Sequence, residues 1–139
     1  MATVINNIGR VLQELGDLKR ARVHFERALS IDEAAHGRDH PEVATSVNNL
    51  GGVLQELGDL AGARAHFERA LEIDEVAYGP NHPNVAIRLN NLGTVLKELG
   101  DLKGARTHFE RALQIFREFL GEEHPDTVTV RNNLESLGS

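Results

Sequence analysis

The amino-acid sequence repeats itself every 42 residues along its whole length of 139 residues. One asparagine recurs at that spacing four times, at Asn6, Asn48, Asn90 and Asn132. Roughly two-thirds of the positions match between neighbouring full units, which is typical of arrays of one supersecondary element. Such an element buries its apolar face only against its neighbours. We expect a single domain, made of three full repeat units, 1–42, 43–84 and 85–126, and a partial unit, 127–139.

Each full unit carries two helical patterns joined by a short turn. In the second unit the first helix is expected between Pro41 and Leu57, where an apolar stripe falls at helical spacing on Val47, Leu50, Gly51, Leu54 and Leu57. Gly58 ends this helix, and Asp59 is a suitable N-cap for a second helix that we expect to run to Tyr78. The expected core positions of the second helix are Ala63, Phe67, Ala70, Leu71 and Ile73. The pattern therefore predicts an all-α array.

These residues resemble the tetratricopeptide repeat. The matching positions in the second unit are Leu50-Gly51, Leu54, Gly58, Ala63, Phe67 and Ala70-Leu71. The ordinary repeat has 34 residues, and the longer unit here resembles the subclass found in kinesin light chains, nephrocystin-like proteins and the sensor arrays of bacterial signalling ATPases. The resemblance implies a right-handed α-solenoid of three full helix–turn–helix units and a C-terminal single helix. It also implies that the first helices line the concave surface.

The second helix departs from the ordinary repeat in a way that predicts its length. The family's usual proline near the end of this helix is replaced by Glu33, Glu75 and Arg117 in the three units. Since proline breaks a helix interior, its absence predicts a second helix that continues to the glycine before the turn.

The side of the first helix opposite the apolar stripe is the candidate binding surface, called here the candidate groove. Its members are polar residues at equivalent places in successive units: Asn6, Asn7, Arg10, Asn48, Asn49, Gln55, Asn90, Asn91, Lys97 and Asn132. Asparagine is a mediocre helix former, so its pairs at mid-helix need an explanation. Their amides either bind the backbone of an extended peptide or tie adjacent helices together. We expect one Asn of each pair in each role, with Asn48 and Asn90 as the first choices for ligand contact.

Composition excludes several other classes of function. The chain has 15 Lys and Arg against 21 Asp and Glu, and this acidic balance argues against nucleic-acid binding. It has no cysteine, no apolar stretch long enough to span a bilayer and no visible signal peptide, so a cytoplasmic location without membrane contact is the expectation. No phosphate-binding glycine loop occurs, and the His36-Asp39-His40 cluster lacks a third strong ligand. We therefore expect no metal, no cofactor and no enzymatic activity.

The leading interpretation is a non-enzymatic interaction scaffold that binds a peptide or protein segment in the concave groove. The groove lacks the basic excess that would favour the acidic cargo of kinesin light chains. It also lacks the lysine at the first position of the Asn pair that a chaperone-tail clamp uses. The alternative is an excised or engineered fragment of a larger signalling protein, such as the sensor array of a bacterial signalling ATPase. Such a fragment could form a homo-oligomer through its open ends, where Ile5, Ile8 and Leu12 lack a preceding helix.

The end of the third unit's second helix is more apolar than its equivalents. Phe116, Phe119 and Leu120 form one stripe at helical spacing. They either pack against the last helix, as in a capping repeat, or form an exposed apolar patch for a partner.

Overall fold

The computed structural model describes residues 1–138. This part of the chain folds into seven α-helices and contains no β-strand. In chain order they are α1 (Ala2–Glu14), α2 (Leu18–His36), α3 (Pro41–Glu56), α4 (Leu60–Tyr78), α5 (Pro83–Glu98), α6 (Leu102–Leu120) and α7 (Pro125–Glu135). The all-α prediction is confirmed. The expected second helix of unit two matches α4, and all three second helices run 19 residues to the glycine.

The same local signals begin α3, α5 and α7. His40 precedes Pro41, and its Nδ1 accepts a hydrogen bond from the backbone N–H of Glu42 at 3.1 Å. His82 and His124 cap α5 and α7 in the same way, so the histidine before each of these prolines has a capping role.

The turn between the two helices of a repeat is also determined by residues within it. The Asp59 Oδ1 accepts from the N–H of Gly62 at 2.9 Å, as expected of an N-cap. Gly58 has φ +90°, a backbone conformation that glycine adopts at low cost. The prediction that Leu57 belongs to the core is wrong, because α3 ends at Glu56 and the Leu57 side chain is 37% exposed at the C-cap.

The chain divides into two compact units, which are larger than the 42-residue repeats. The first unit covers Met1–Ile73, and the second unit begins at Asp74. In the first unit, Val43, Ala44 and Val47 of α3 pack with Ala70 and Ile73 of α4, and Leu29 of α2 borders this cluster. A smaller cluster joins Ala2 and Ile5 of α1 to Ala28 and Ile31 of α2. The Phe25 and Phe67 rings are buried at the centre of their helix pairs.

The second unit repeats this packing around Phe109 of α6, which is buried against α5. The Phe116 side chain is 2% exposed and lies beside Val130 of α7, so packing against the last helix is confirmed for this residue. Phe119, on the same predicted stripe, is 52% exposed, and Leu120 is half-buried. The stripe is therefore divided between the core and the surface.

The first helix carries an exposed apolar stripe. Val4, Ile8 and Val11 of α1 and Leu15 at its C-cap are between 44% and 76% exposed. The expectation that Ile5 belongs to this uncovered surface is wrong, because Ile5 packs against α2 and is buried. Ile8 is exposed as expected, and Leu12 is half-buried.

Candidate functional site

Two cavities lie on the side of the candidate groove, each between two successive first helices of one compact unit. The first cavity, between α1 and α3, has a volume of about 220 Å³ and is lined by Thr3, Asn6, Asn7, Arg10, Asp32, Glu42, Thr45 and Asn49. The second cavity, between α5 and α7, has a volume of about 90 Å³ and is lined by Ile87, Asn90, Phe116, Asp126, Thr129 and Val130. The two cavities use equivalent positions two repeats apart, but Asp32 of the first is replaced by Phe116 in the second.

A buried chain of hydrogen bonds forms the floor of the first cavity. Asn6 Nδ2 donates to Ser46 Oγ at 3.0 Å, and the Ser46 hydroxyl donates to Asp32 Oδ2 at 2.5 Å. All three side chains are buried, and Asn6 is 9% exposed. The Asn6 Oδ1 atom is also buried and has no hydrogen-bond partner among residues 1–138. An unpaired buried acceptor of this kind costs about 1–3 kcal/mol until a donor reaches it.

The second unit fills the equivalent positions differently. Asp74, one repeat after Asp32, accepts a hydrogen bond from Arg88 Nε at 2.7 Å, and Arg88 stands where the first unit has Ser46. This ion pair is nearly buried, with the Asp74 side chain 1% exposed. One repeat later, Phe116 and Val130 occupy the same two positions. The pair of positions therefore holds a hydrogen-bonded pair, an ion pair and two apolar side chains in three successive repeats.

Several residues of the candidate groove tie neighbouring first helices together. In the second unit, Asn133 Nδ2 of α7 donates to Asn90 Oδ1 of α5 at 2.9 Å, and Lys97 Nζ donates to Ser136 Oγ at 2.9 Å. In the first unit, Gln13 of α1 hydrogen-bonds to Glu56 of α3. The amide-rich surface thus contributes to helix packing as well as to the exposed surface.

The predicted site residues differ in their accessibility. Asn6 is buried, and five of the others are half-buried, namely Asn48, Asn49, Gln55, Asn90 and Asn91. The remaining four are exposed, namely Asn7, Arg10, Lys97 and Asn132. The first cavity brings together Asn6, Asn7, Arg10 and Asn49, while Asn90 lines the second.

Sequence reasoning missed buried polar residues beneath the candidate groove. Asp32 and Ser46 of the first unit and Asp74 of the second lie outside the wheel face that defines the candidate groove. A signal was nevertheless present, because the two positions vary strongly among otherwise similar repeats. Variation at inward positions of a near-identical repeat indicates that something other than core packing determines the side chain.

The histidines make local contacts. The Nδ1 atoms of His24, His66 and His108 each lie 2.8–2.9 Å from the carbonyl oxygen four residues earlier in their helix. The rings of His36 and His40 stack with their centroids 4.4 Å apart. Within residues 1–138, no group of three His, Asp or Glu side chains is placed to hold one metal ion. No helix of this described part combines the length and apolar character needed to cross a bilayer.

A family model, that of the tetratricopeptide repeat, matches the sequence over residues 1–73, 42–118 and 89–137. No curated protein matches the chain significantly. Among solved structures, BtubC (BKLC) from P. vanneervenii shares 26% sequence identity and superposes with a TM-score of 0.88 over 98% of this chain and 54% of its own. A kinesin light chain-like protein of Podosopora anserina with nearly identical TPR-like repeats shares 20% identity, with a TM-score of 0.90 over 97% of this chain and 64% of its own.

The apo form of RapI is a third similar structure, with 20% identity and a TM-score of 0.85 over 98% of this chain and 47% of its own. The chain therefore spans between about half and two-thirds of the length of these proteins. The likeness confirms a helical-repeat fold of the kinesin light chain-like type.

Proposed function

Because this chain belongs to the tetratricopeptide repeat family, we propose that it is a non-enzymatic scaffold that binds a peptide or protein segment along the candidate groove. Proteins of this family are generally interaction scaffolds, and a shared fold alone does not specify the partner. The proposal therefore depends on the surface of this chain. It includes no role for nucleic acid, since the net charge of −6 disfavours a polyanion.

The observation that carries the proposal is the pair of cavities between successive first helices. Each unit offers one cavity on the same side of its first helices, built from equivalent repeat positions. The first cavity has a carboxylate and an amide at its floor, and the second has an aromatic ring and a valine. Taken separately, the first cavity suits a polar side chain of a bound segment and the second suits an apolar one.

Exposed polar side chains around the first cavity are suited to bind peptide backbone. The Asn7 amide is exposed on α1 and can both donate and accept a hydrogen bond. Asn49 of α3 lines the same cavity from the opposite side. Contacts to backbone atoms would hold a segment without reading its sequence, and the cavities would supply the selectivity.

Panning a random peptide library against the purified chain tests this proposal. We expect enrichment of a peptide whose binding is weakened in the Asn7→Ala/Asn49→Ala variant and in the Asn48→Ala/Asn90→Ala variant. The matched control is Arg64→Ala/Glu68→Ala, which removes an exposed ion pair from the outer face of α4. Unchanged affinity in both groove variants, with the control also unchanged, would contradict the assignment of the groove.

A second candidate is a fragment of a larger signalling protein that self-associates. The specific observation in its favour is the exposed stripe of Val4, Ile8, Val11 and Leu15 on α1. The equivalents of two of these residues one repeat later, Leu50 and Val53, are buried. The stripe is therefore built like a packing surface, and a second copy of the chain is one way to cover it.

A further inference from the structure

We propose that the first cavity is a binding site for a guanidinium group, supplied by an arginine side chain of the bound segment. This inference rests on the proposed function, because it assumes that ligands enter from the candidate groove. It adds the chemical class of side chain that the cavity selects. One pair of positions holds different side chains in successive repeats, and the difference points to the ligand.

In the second unit, the aspartate at the repeat position of Asp32 is Asp74, and it binds the guanidinium of Arg88. Asp74 accepts from Arg88 Nε at 2.7 Å, and both side chains are shielded from solvent. Charge-assisted bonds between arginine and a carboxylate are among the strongest hydrogen bonds in proteins. The aspartate at this repeat position therefore has the geometry to hold a guanidinium.

In the first unit the same aspartate has a much smaller neighbour. Ser46 replaces the arginine, and its hydroxyl bonds to Asp32 Oδ2 at 2.5 Å. Beside this pair the structure leaves the first cavity, of about 220 Å³, with Asp32 among its lining residues. A carboxylate can accept several hydrogen bonds at once, so the bond from Ser46 leaves capacity for a ligand.

Other groups around the cavity complement a cation that carries several donors. Asn6 lines the cavity, and its buried Oδ1 has no hydrogen-bond partner among residues 1–138, so a small shift of this side chain would offer a guanidinium N–H a free acceptor. Glu42 adds a second carboxylate from α3. Arg10 also lines the cavity and opposes a cation, so its charge should weaken binding without abolishing it.

The second cavity provides an internal negative control. It keeps a carboxylate, Asp126, at the position of Glu42, and an amide, Asn90, at the position of Asn6. Its floor carries Phe116 in place of Asp32, and the Asn90 oxygen already accepts from Asn133. If the floor carboxylate determines the selectivity, a guanidinium should bind the first cavity and not the second.

The test is a titration of the isotopically labelled chain with N-acetyl-arginine amide, followed through backbone and side-chain amide NMR signals. The matched ligand is N-acetyl-citrulline amide, which has nearly the same shape and no charge. We expect saturable shifts at Asn6, Asn7 and Asn49, none at Asn90, and binding of citrulline weaker by about tenfold or more, since a charged hydrogen bond is lost. Equal binding of both ligands, or shifts confined to Asn90, would overturn the proposal.

Three variants locate the site. Ser46→Arg recreates the pair of Arg88 with Asp74, so it should fill the cavity from within and abolish the shifts while the chain stays folded by circular dichroism. Asp32→Asn should reduce binding by about tenfold or more, again from the loss of a charged hydrogen bond, and Arg10→Gln should tighten it. Retained binding in a folded Ser46→Arg variant would contradict the assignment, and the citrulline comparison decides the case if that variant does not fold.

The outcome is separable from that of the proposed function. Peptides that bind the groove without any arginine preference would remove the guanidinium site and leave the scaffold intact. Binding of N-acetyl-arginine amide at the first cavity, combined with failure to enrich any peptide, would support the site and remove the scaffold proposal.

Discussion

Gly51 of α3 lies so close to the ring of Phe67 that a Cβ at Gly51 would come within 2.8 Å of two ring carbons. The same relationship holds between Gly9 and Phe25, and the hypothetical Cβ would be 2.7 Å from the ring there. The glycine that recurs at this repeat position thus marks the point where the first helix of a repeat meets the aromatic ring of the second helix. The aromatic ring leaves no space for a side chain at this glycine position.

Gly51→Ala is expected to destabilise the protein. Alanine is the better helix former, but its methyl group must displace the buried Phe67 ring, and overpacking of this kind costs about 1–3 kcal/mol. The free energy of unfolding from urea titration, followed by far-ultraviolet circular dichroism, measures the effect.

Gly52→Ala is the matched control, one residue further along the same helix. The nearest atom to a Cβ at Gly52 is the flexible end of Gln13, at 3.9 Å. Removing a mid-helix glycine should therefore stabilise the chain by about 0.5–1 kcal/mol. Equal effects of the two substitutions would show that helix propensity, and not contact with the ring, dominates.

Arg69→Gln is expected to cost about 1 kcal/mol of stability. Arg69 of α4 donates to Glu33 of α2 at 3.0 Å and also to the carbonyl oxygen of Arg38 at 3.0 Å, and both ionic side chains are about three-quarters buried. The control is Arg22→Gln, because the Arg22–Glu26 pair is half-exposed with a 3.6 Å separation and should contribute little. Thermal unfolding at low and high salt would distinguish them, since the larger loss is expected for Arg69 and should persist at high salt because its pair is more buried.

The two asparagines of the first pair should separate into a structural and a surface residue. Asn6→Ala removes the donor to Ser46 from a buried network, and we expect a loss of about 1–2 kcal/mol in stability. Asn7→Ala should leave stability within about 0.5 kcal/mol of the parent, because the side chain is exposed. Chemical denaturation of both variants measures the difference, and a larger loss for Asn7 would reverse the assignment.

The exposed stripe on α1 predicts concentration-dependent self-association. Sedimentation velocity should show dimer formation that weakens in Val4→Lys/Val11→Lys, whereas Val76→Lys, at an exposed valine of α4, should change nothing. A chain that remains monomeric at high concentration would refute this expectation.

Contact between the α1 stripes of two copies would bring the same apolar residues together from both chains. Covalent crosslinking of the dimer should accordingly join α1 to α1.

The sequence predicts the helices well because their signals are local. Pro41 after a capping histidine, Asp59 at an N-cap and glycine at each helix end fix the boundaries to within a residue, without reference to tertiary contacts. The error at Leu57 has a local cause as well. The apolar pattern extends one residue beyond the last helical residue, where the side chain turns toward solvent.

The candidate site is less predictable, because its floor depends on contacts between residues far apart in sequence. The bond between Ser46 and Asp32 joins α3 to α2, and a helical wheel drawn for α3 alone cannot show it. The wheel places Asn6 on the polar side of α1, but Ser46 from α3 covers it. Comparison of equivalent positions across repeats carries more information about the floor than the wheel does.

The most direct test of the account is to map where a selected peptide contacts the chain. Backbone amide shifts on titration with a panned peptide should cluster on the first helices, at Thr3, Asn7, Thr45 and Asn49 in the first unit and at Ile87 and Thr129 in the second. Shifts concentrated instead on the outer faces of the second helices, around Arg22, Glu26, Arg64 and Glu68, would contradict it.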